Sequence, residues 1–139
     1  MQLNGIAHIQ LTVNDVSVSK PFWKPLLDLF EMKTLIDTDT YYYAIGSRTG
    51  IAISEAEDGL EGPFQQRRVG LHHLCLRARE REQIDEIHAF VQGLPGATIV
   101  HGPREDGFAP GYYSVLFEDP DGIRVEVNFV PGKGHLKEA

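Results

Sequence analysis

At 139 residues the chain is the size of one compact domain, or of two half-size modules sharing a core, and its 42% apolar content is enough to fill one. A formal charge of −7 repels polyanions, with no basic run or Cys/His finger spacing to offset it, and no apolar run approaches bilayer-spanning length, so nucleic acid and membrane are excluded as partners. The lone Cys75 cannot form an internal disulfide, and Met1-Gln2-Leu3-Asn4 lacks the basic and apolar regions of a secretory signal, so a reducing, cytoplasmic setting is expected.

The first element is Gly5-Ile6-Ala7-His8-Ile9-Gln10-Leu11-Thr12-Val13. Ile9, Leu11 and Val13 share an apolar face, and His8, Gln10 and Thr12 share a polar one. This is a strand with one side for a helix and the other for water or a ligand. Ser17 or Ser19 is expected to cap the helix that follows, with Pro21 in its first turn and Phe22, Leu26, Leu29 and Phe30 at helical spacing. Pro25 removes a backbone donor and crowds the preceding turn, so this helix is expected to be short or kinked. Strands are predicted over 32–37, 41–46 and 50–55. The separators are Asp37-Thr38-Asp39-Thr40 and Gly46-Ser47-Arg48.

A polar link over 56–70 holds Gly59, Gly62, Pro63 and the pair Arg67-Arg68. The pattern then restarts. Gly70-Leu71-His72-His73-Leu74-Cys75-Leu76-Arg77-Ala78 opens a strand over 71–78, and an amphipathic helix follows over 82–93, with Ile84, Ile87, His88 and Val91 on one stripe. Three strands are predicted over 98–101, 112–118 and 123–129. Both halves read β-α-β-β-β, an α+β pattern of two copies of one supersecondary unit. A histidine at matching places in both copies points to a site at the seam between them.

Paired modules of this kind, each with a histidine on its first strand, resemble the vicinal oxygen chelate superfamily. Its members include glyoxalase I, methylmalonyl-CoA epimerase, fosfomycin-modifying enzymes, ring-cleaving dioxygenases and bleomycin-binding proteins. The most specific segment is Phe117-Glu118-Asp119-Pro120-Asp121-Gly122-Ile123-Arg124-Val125-Glu126. In the family an Asp-Pro-Asp-Gly turn leads into a final strand whose glutamate binds metal. The resemblance implies a glyoxalase fold in which modules 5–56 and 70–130 form curved mixed sheets around a cleft, as a single domain over 1–139. It also implies a divalent metal (Zn, Ni, Co, Mn or Fe) held by His8, His73 and Glu126. A carboxylate amid apolar strand residues is costly unless paired, hydrated or coordinated, which agrees with that role.

Glu55 is the candidate fourth ligand and a second candidate base beside Glu126. It precedes His73 by the spacing found in bacterial glyoxalase I. The internal repeat argues the other way, because Gly122 leads to Glu126 in four steps whereas Gly50 leads in four to Ser54, and one step flips a strand side chain. Arg77 and Arg124 share the parity of the proposed ligands and are candidates to hold an anionic substrate. Phe108, in the loop Gly107-Phe108-Ala109-Pro110-Gly111, and Tyr113 are candidates to contact the substrate. His72 is expected to face away from His73 as a structural residue. His88 reads as packed, His101 and His135 as exposed beside glycines, and Cys75 as a small buried apolar residue that shares the face of His73.

The resemblance implies a metal-dependent lyase or isomerase acting on a small oxygenated substrate through a metal-stabilised enediolate, with Glu126 or Glu55 moving the proton. Thr12 stands where bacterial glyoxalase I carries a substrate-binding arginine, which argues against glutathione as co-substrate. The alternatives are a dioxygenase, a thiol transferase of the fosfomycin type, or a drug-binding protein without catalysis. A homodimer is expected, with His8 of one chain meeting His73 and Glu126 of the other.

Overall fold

The computed structural model describes residues 1–57 and 62–133. Gly59 of the link and His135 lie outside them. The chain divides into two compact units, Met1–Pro63 and Phe64–Ala139. Among the described residues no helix is long and apolar enough to cross a membrane.

The first unit runs β1 (His8–Val13), α1 (Val16–Leu29), β2 (Lys33–Asp37), β3 (Tyr41–Gly46) and β4 (Thr49–Glu55). Its sheet has the order β1-β4-β3-β2, with β1 parallel to β4 and the other pairs antiparallel. Leu11 and Val13 are buried on the apolar face of β1, while His8, Gln10 and Thr12 are exposed on the other, as the alternation predicted.

The helix departs from expectation. It runs unbroken for 14 residues with Pro21 and Pro25 inside it. Pro21 is exposed and Pro25 only half-buried, so water can reach the backbone where the missing donors leave carbonyls unpaired. Phe22, Trp23, Leu26 and Leu27 are fully buried. At about 1.5–3 kcal/mol for each large apolar side chain, their burial outweighs a penalty of about 3 kcal/mol per interior proline. The cap is Asp15, whose Oδ1 accepts from Ser17 N at 2.8 Å and from Ser17 Oγ at 2.6 Å. Ser19 instead lies buried within the helix, and Leu29 is exposed.

The second unit repeats the plan: β5 (Leu74–Arg77), α2 (Glu82–Val91), β6 (Thr98–Glu105), β7 (Tyr113–Glu118) and β8 (Arg124–Phe129). Its sheet has the order β5-β8-β7-β6, with β5 parallel to β8. Ile84, Ile87 and Val91 of α2 are buried, and the helix packs on β6, β7 and β8. β6 is twice the predicted length, and His101, expected to be exposed at its end, lies half-buried within it opposite Leu116. The tail of the supposed link belongs to this unit. Phe64 N donates to Asp121 O at 2.9 Å, and Gln66 Nε2 donates to Glu118 Oε2 and to Gly122 O.

The turn entering β8 is built by its own residues. Asp119, buried, accepts through Oδ1 from Asp121 N at 2.9 Å and from Ile123 N at 2.8 Å. Gly122 takes a φ of +87°, a conformation open to glycine and strained for residues with a Cβ. This turn sets the register Leu116↔Glu126, and so decides which face Glu126 occupies.

Candidate functional site

In the first unit, the polar face of the sheet carries His8, Gln10 and Thr12 of β1. Across the ladder their partners are Gly50, Ala52 and Ser54 of β4. Tyr41 donates its hydroxyl to Gln10 Oε1 at 3.1 Å, and Gln10 Nε2 donates to Ser54 Oγ at 2.9 Å. These bonds fix the orientation of the Gln10 amide. Gly50, the register partner of His8, is covered by the ring of Tyr43, and a Cβ at position 50 would overlap that ring.

Glu55 lies on the opposite face from His8. The parallel register is unbroken from His8↔Gly50 to Val13↔Glu55, with no bulge to rotate the carboxylate. Its Oε2 accepts from Val16 N at 3.2 Å, so the side chain sits on the N-terminus of α1, where exposed donors and the helix dipole favour negative charge.

The second unit brings the richest cluster together. Glu126 is one of its few buried charged residues, 9% exposed, and its register partner on β5 is Cys75. His73 Nε2 lies 3.8 Å from Glu126 Oε2. The same carboxylate oxygen accepts from the Tyr112 hydroxyl at 2.7 Å. Tyr112 meets Phe108 edge-to-face, with centroids 5.3 Å apart, and Phe108 itself is 72% exposed. Phe108, Tyr112, Glu126 and His73 therefore form a continuous line of contacts.

Of the adjacent tyrosines, Tyr113, expected to contact substrate, bonds elsewhere than Glu126. Tyr113 is the register partner of Phe129, and its hydroxyl donates to Asp85 of α2 at 2.7 Å, with Arg81 stacked on its ring at 3.7 Å. It is Tyr112 that reaches Glu126. Counting the hairpin back from Leu116↔Glu126 would have found it, because that places Ser114 opposite Asn128 and the next same-side residue at 112.

His72 also departs from expectation. Its Nδ1 lies 2.8 Å from Nδ1 of His73, and the two rings meet at 77°. Both residues precede the first ladder residue, Leu74, so strand alternation does not yet separate them. Of the candidate arginines, Arg124 is engaged through Nε with Glu118 Oε2 at 3.2 Å. Arg77 is exposed and close enough to Cys75 to act on its thiol.

Burial around the sulfur pushes the Cys75 thiol up, and the neighbouring Glu126 carboxylate adds to this, although the residue as a whole remains exposed. This is the reverse of what a thiolate nucleophile needs. Burial, and then the bond to Glu126, likewise raise Tyr112 and keep it a neutral donor.

Two donors on one cation with bonds of about 2.1 Å stand about 3.0 Å apart at a right angle and about 3.4 Å apart at the tetrahedral angle. The 3.8 Å between His73 and Glu126 is a few tenths of an ångström wider than the tetrahedral separation and nearly an ångström wider than the right-angle one, within reach of a side-chain torsion. An imidazole and a carboxylate also suit the divalent ions considered above. Among the described residues no group of three or more His, Cys, Asp or Glu side chains is arranged to hold an ion. The second unit thus supplies a pair, and His8 belongs to the first unit.

Comparison with known proteins agrees with this architecture. A family model described as Glyoxalase/Bleomycin resistance protein/Dioxygenase superfamily matches residues 5–127. The chain is 28% identical over 121 residues to the uncharacterized protein YqjT of Bacillus subtilis (strain 168), covering 86% of this chain and 94% of that one. It is 26% identical over 126 residues to metallothiol transferase FosB of Staphylococcus saprophyticus, covering 91% and 77%. Among solved structures, a glyoxylase/bleomycin resistance protein/dioxygenase domain from Frankia sp. EAN1pec superposes with a TM-score of 0.74 at 26% identity, covering 92% of this chain and 98% of that one.

Proposed function

The chain belongs to the Glyoxalase/Bleomycin resistance protein/Dioxygenase superfamily, and we propose that it is a metal-dependent enzyme acting on a small oxygenated substrate, with His8, His73 and Glu126 as its metal ligands. The observation that carries this reading is the His73–Glu126 pair, with Tyr112 bonded to the same carboxylate oxygen. Glu55 is left out of the ligand set because its carboxylate serves α1.

His8, His73 and Glu126 would hold a divalent Zn, Ni, Co, Mn or Fe ion, which would supply Lewis-acid polarisation of a substrate oxygen. The remaining work falls to the protein. Glu126 takes a proton from a hydroxyl-bearing carbon next to a substrate carbonyl, and the electron pair of the broken C–H bond forms an enediolate with charge on the carbonyl oxygen. The proton then returns to the former carbonyl carbon while the hydroxyl proton passes to the former carbonyl oxygen, leaving a carbonyl on the first carbon. The result is an isomerisation or lyase reaction. Tyr112 holds the carboxylate in place during the transfer. In this reading Phe108, largely exposed beside Tyr112, covers an apolar part of the substrate, and the exposed Arg77 meets negative charge on it.

A second reading, thiol transfer, is favoured by the likeness to a relative named metallothiol transferase. The two separate by substrate: a hemithioacetal for the first, an epoxide with a free thiol for the second. We further propose a homodimer in which His8 of one copy completes the His73–Glu126 pair of the other.

Metal analysis of protein purified without a nickel column, followed by calorimetric titration of the stripped protein, tests the core of the proposal. Stoichiometric metal, lost in Glu126→Gln, is expected. No bound metal and no binding on titration would overturn it in favour of a non-catalytic binding protein. Sedimentation tests the dimer, and a strict monomer would refute the shared site.

A further inference from the structure

We infer that His72 is a positioning residue for His73, and that its ring is the reason His73 offers Nε2, not Nδ1, to a cation; the inference rests on the reading of His73 as a metal ligand. A neutral imidazole has one N–H and one lone pair. At 2.8 Å, the Nδ1–Nδ1 contact between His72 and His73 requires one proton between the two atoms, donated by one ring and accepted by the other. Nδ1 of His73 is therefore occupied whichever ring carries the proton. The free nitrogen is Nε2, the one that lies 3.8 Å from Glu126 Oε2.

For Nε2 to present its lone pair, the shared proton must sit on His73 Nδ1, with His72 Nδ1 as acceptor and the one N–H of neutral His72 on its own Nε2. The opposite assignment points an N–H toward Glu126, but at 3.8 Å it forms no hydrogen bond. His72 thus sets the ring orientation of its neighbour and occupies its Nδ1, and it accepts the shared proton when a cation takes Nε2, as an outer hydrogen-bond partner does for a ligating histidine. Tyr112 acts in the same way on Glu126 from the other side of the pair. The two together leave His73 Nε2 and the Glu126 carboxylate facing one gap.

The test compares wild type with His72→Phe, which keeps a ring but has no nitrogen, and His72→Gln, which keeps a hydrogen-bonding group. Long-range proton–nitrogen spectra of the metal-free proteins report the His73 nitrogens and which of them carries the proton. Zinc chloride titration by calorimetry reports affinity. The expected results are a shifted His73 Nδ1 resonance in His72→Phe, a zinc affinity lower by about 10- to 100-fold, and substantial recovery in His72→Gln. Zinc binding equal in wild type and His72→Phe would overturn the inference while leaving the metal reading intact. An unmoved His73 Nδ1 resonance in metal-free His72→Phe would overturn it as well. A wild type that binds no zinc, yet whose Nδ1 resonance moves in His72→Phe, would overturn the metal reading and uphold the coupling of the two rings.

Discussion

Removing one oxygen atom tests the heart of the site. Tyr112→Phe deletes the hydroxyl that donates to Glu126 Oε2 at 2.7 Å but keeps the ring, and so keeps the edge contact with Phe108. A hydrogen bond to a charged acceptor contributes about 1.5–3 kcal/mol. Tyr112 is only half-buried, so water can replace part of what is lost, and the lower end, about 1–2 kcal/mol, is expected for the metal-free protein. The other consequence concerns orientation. Oε2 is also the atom nearest His73 Nε2, so freeing the carboxylate lets it rotate out of line with the imidazole. Metal affinity is expected to fall by about 10-fold, the lower end for loss of an outer hydrogen-bond partner. Urea unfolding with linear extrapolation measures the first effect, and calorimetric titration with zinc or cobalt measures the second. An unchanged urea midpoint together with unchanged affinity would refute the claim that Tyr112 holds the carboxylate.

Glu55→Gln is expected to cost about 0.3–1 kcal/mol of stability, through the lost charge at the start of α1, with no change in zinc affinity; a large loss of affinity would return Glu55 to the ligand set. Gly50→Ala drives a methyl into the ring of Tyr43, which must swing off the sheet face beside the register partner of His8. We expect changed Tyr43 ring resonances and weakened metal binding, while thermal unfolding moves little because the ring sits at the end of a flexible side chain. The hydrogen bond to Asp85 holds the Tyr113 hydroxyl above the ordinary tyrosine value near 10. A group raised in the folded state gives stability that is complete below its unfolded value and lost as pH climbs through the folded one. Tyr113→Phe should therefore flatten the fall in unfolding midpoint above about pH 10 while leaving metal binding at neutral pH unchanged.

How far the chain discloses this site before it is folded depends on how local each determinant is. Period-two alternation and Gly/Pro separators located every strand, because both act over a few residues. Parity within β8 put Glu126 on the face opposite Val125 and Val127, and the unbroken register of β5 on β8 put Cys75 beside it. Errors arose where a local rule met a longer-range one. The Pro25 rule predicted a short or kinked α1, but four fully buried side chains on its inner face hold the helix through both prolines. The cap was assigned to Ser17 or Ser19, although Asp15, an aspartate just ahead of an apolar-periodic run, is as good a capping residue.

The two misplaced aromatic partners share a cause. Tyr113 was named because it follows the loop, whereas the register that brings Tyr112 to Glu126 is set by the turn at the far end of β7, closed by Asp119 and Gly122. His72 was assigned to the opposite face by an alternation that begins only at Leu74, one residue too late to apply. Both residues lie at strand ends, just outside the ladder, where the pleat no longer dictates side-chain direction and hydrogen bonding to a neighbour does. There Tyr112 turns to Glu126 and His72 to His73. The two candidate ligands of the second unit thus take their orientation from residues that strand periodicity, taken alone, leaves unassigned. For this unit, hydrogen-bond partners should be sought first among polar residues one or two steps beyond each strand, where the backbone has stopped choosing for them.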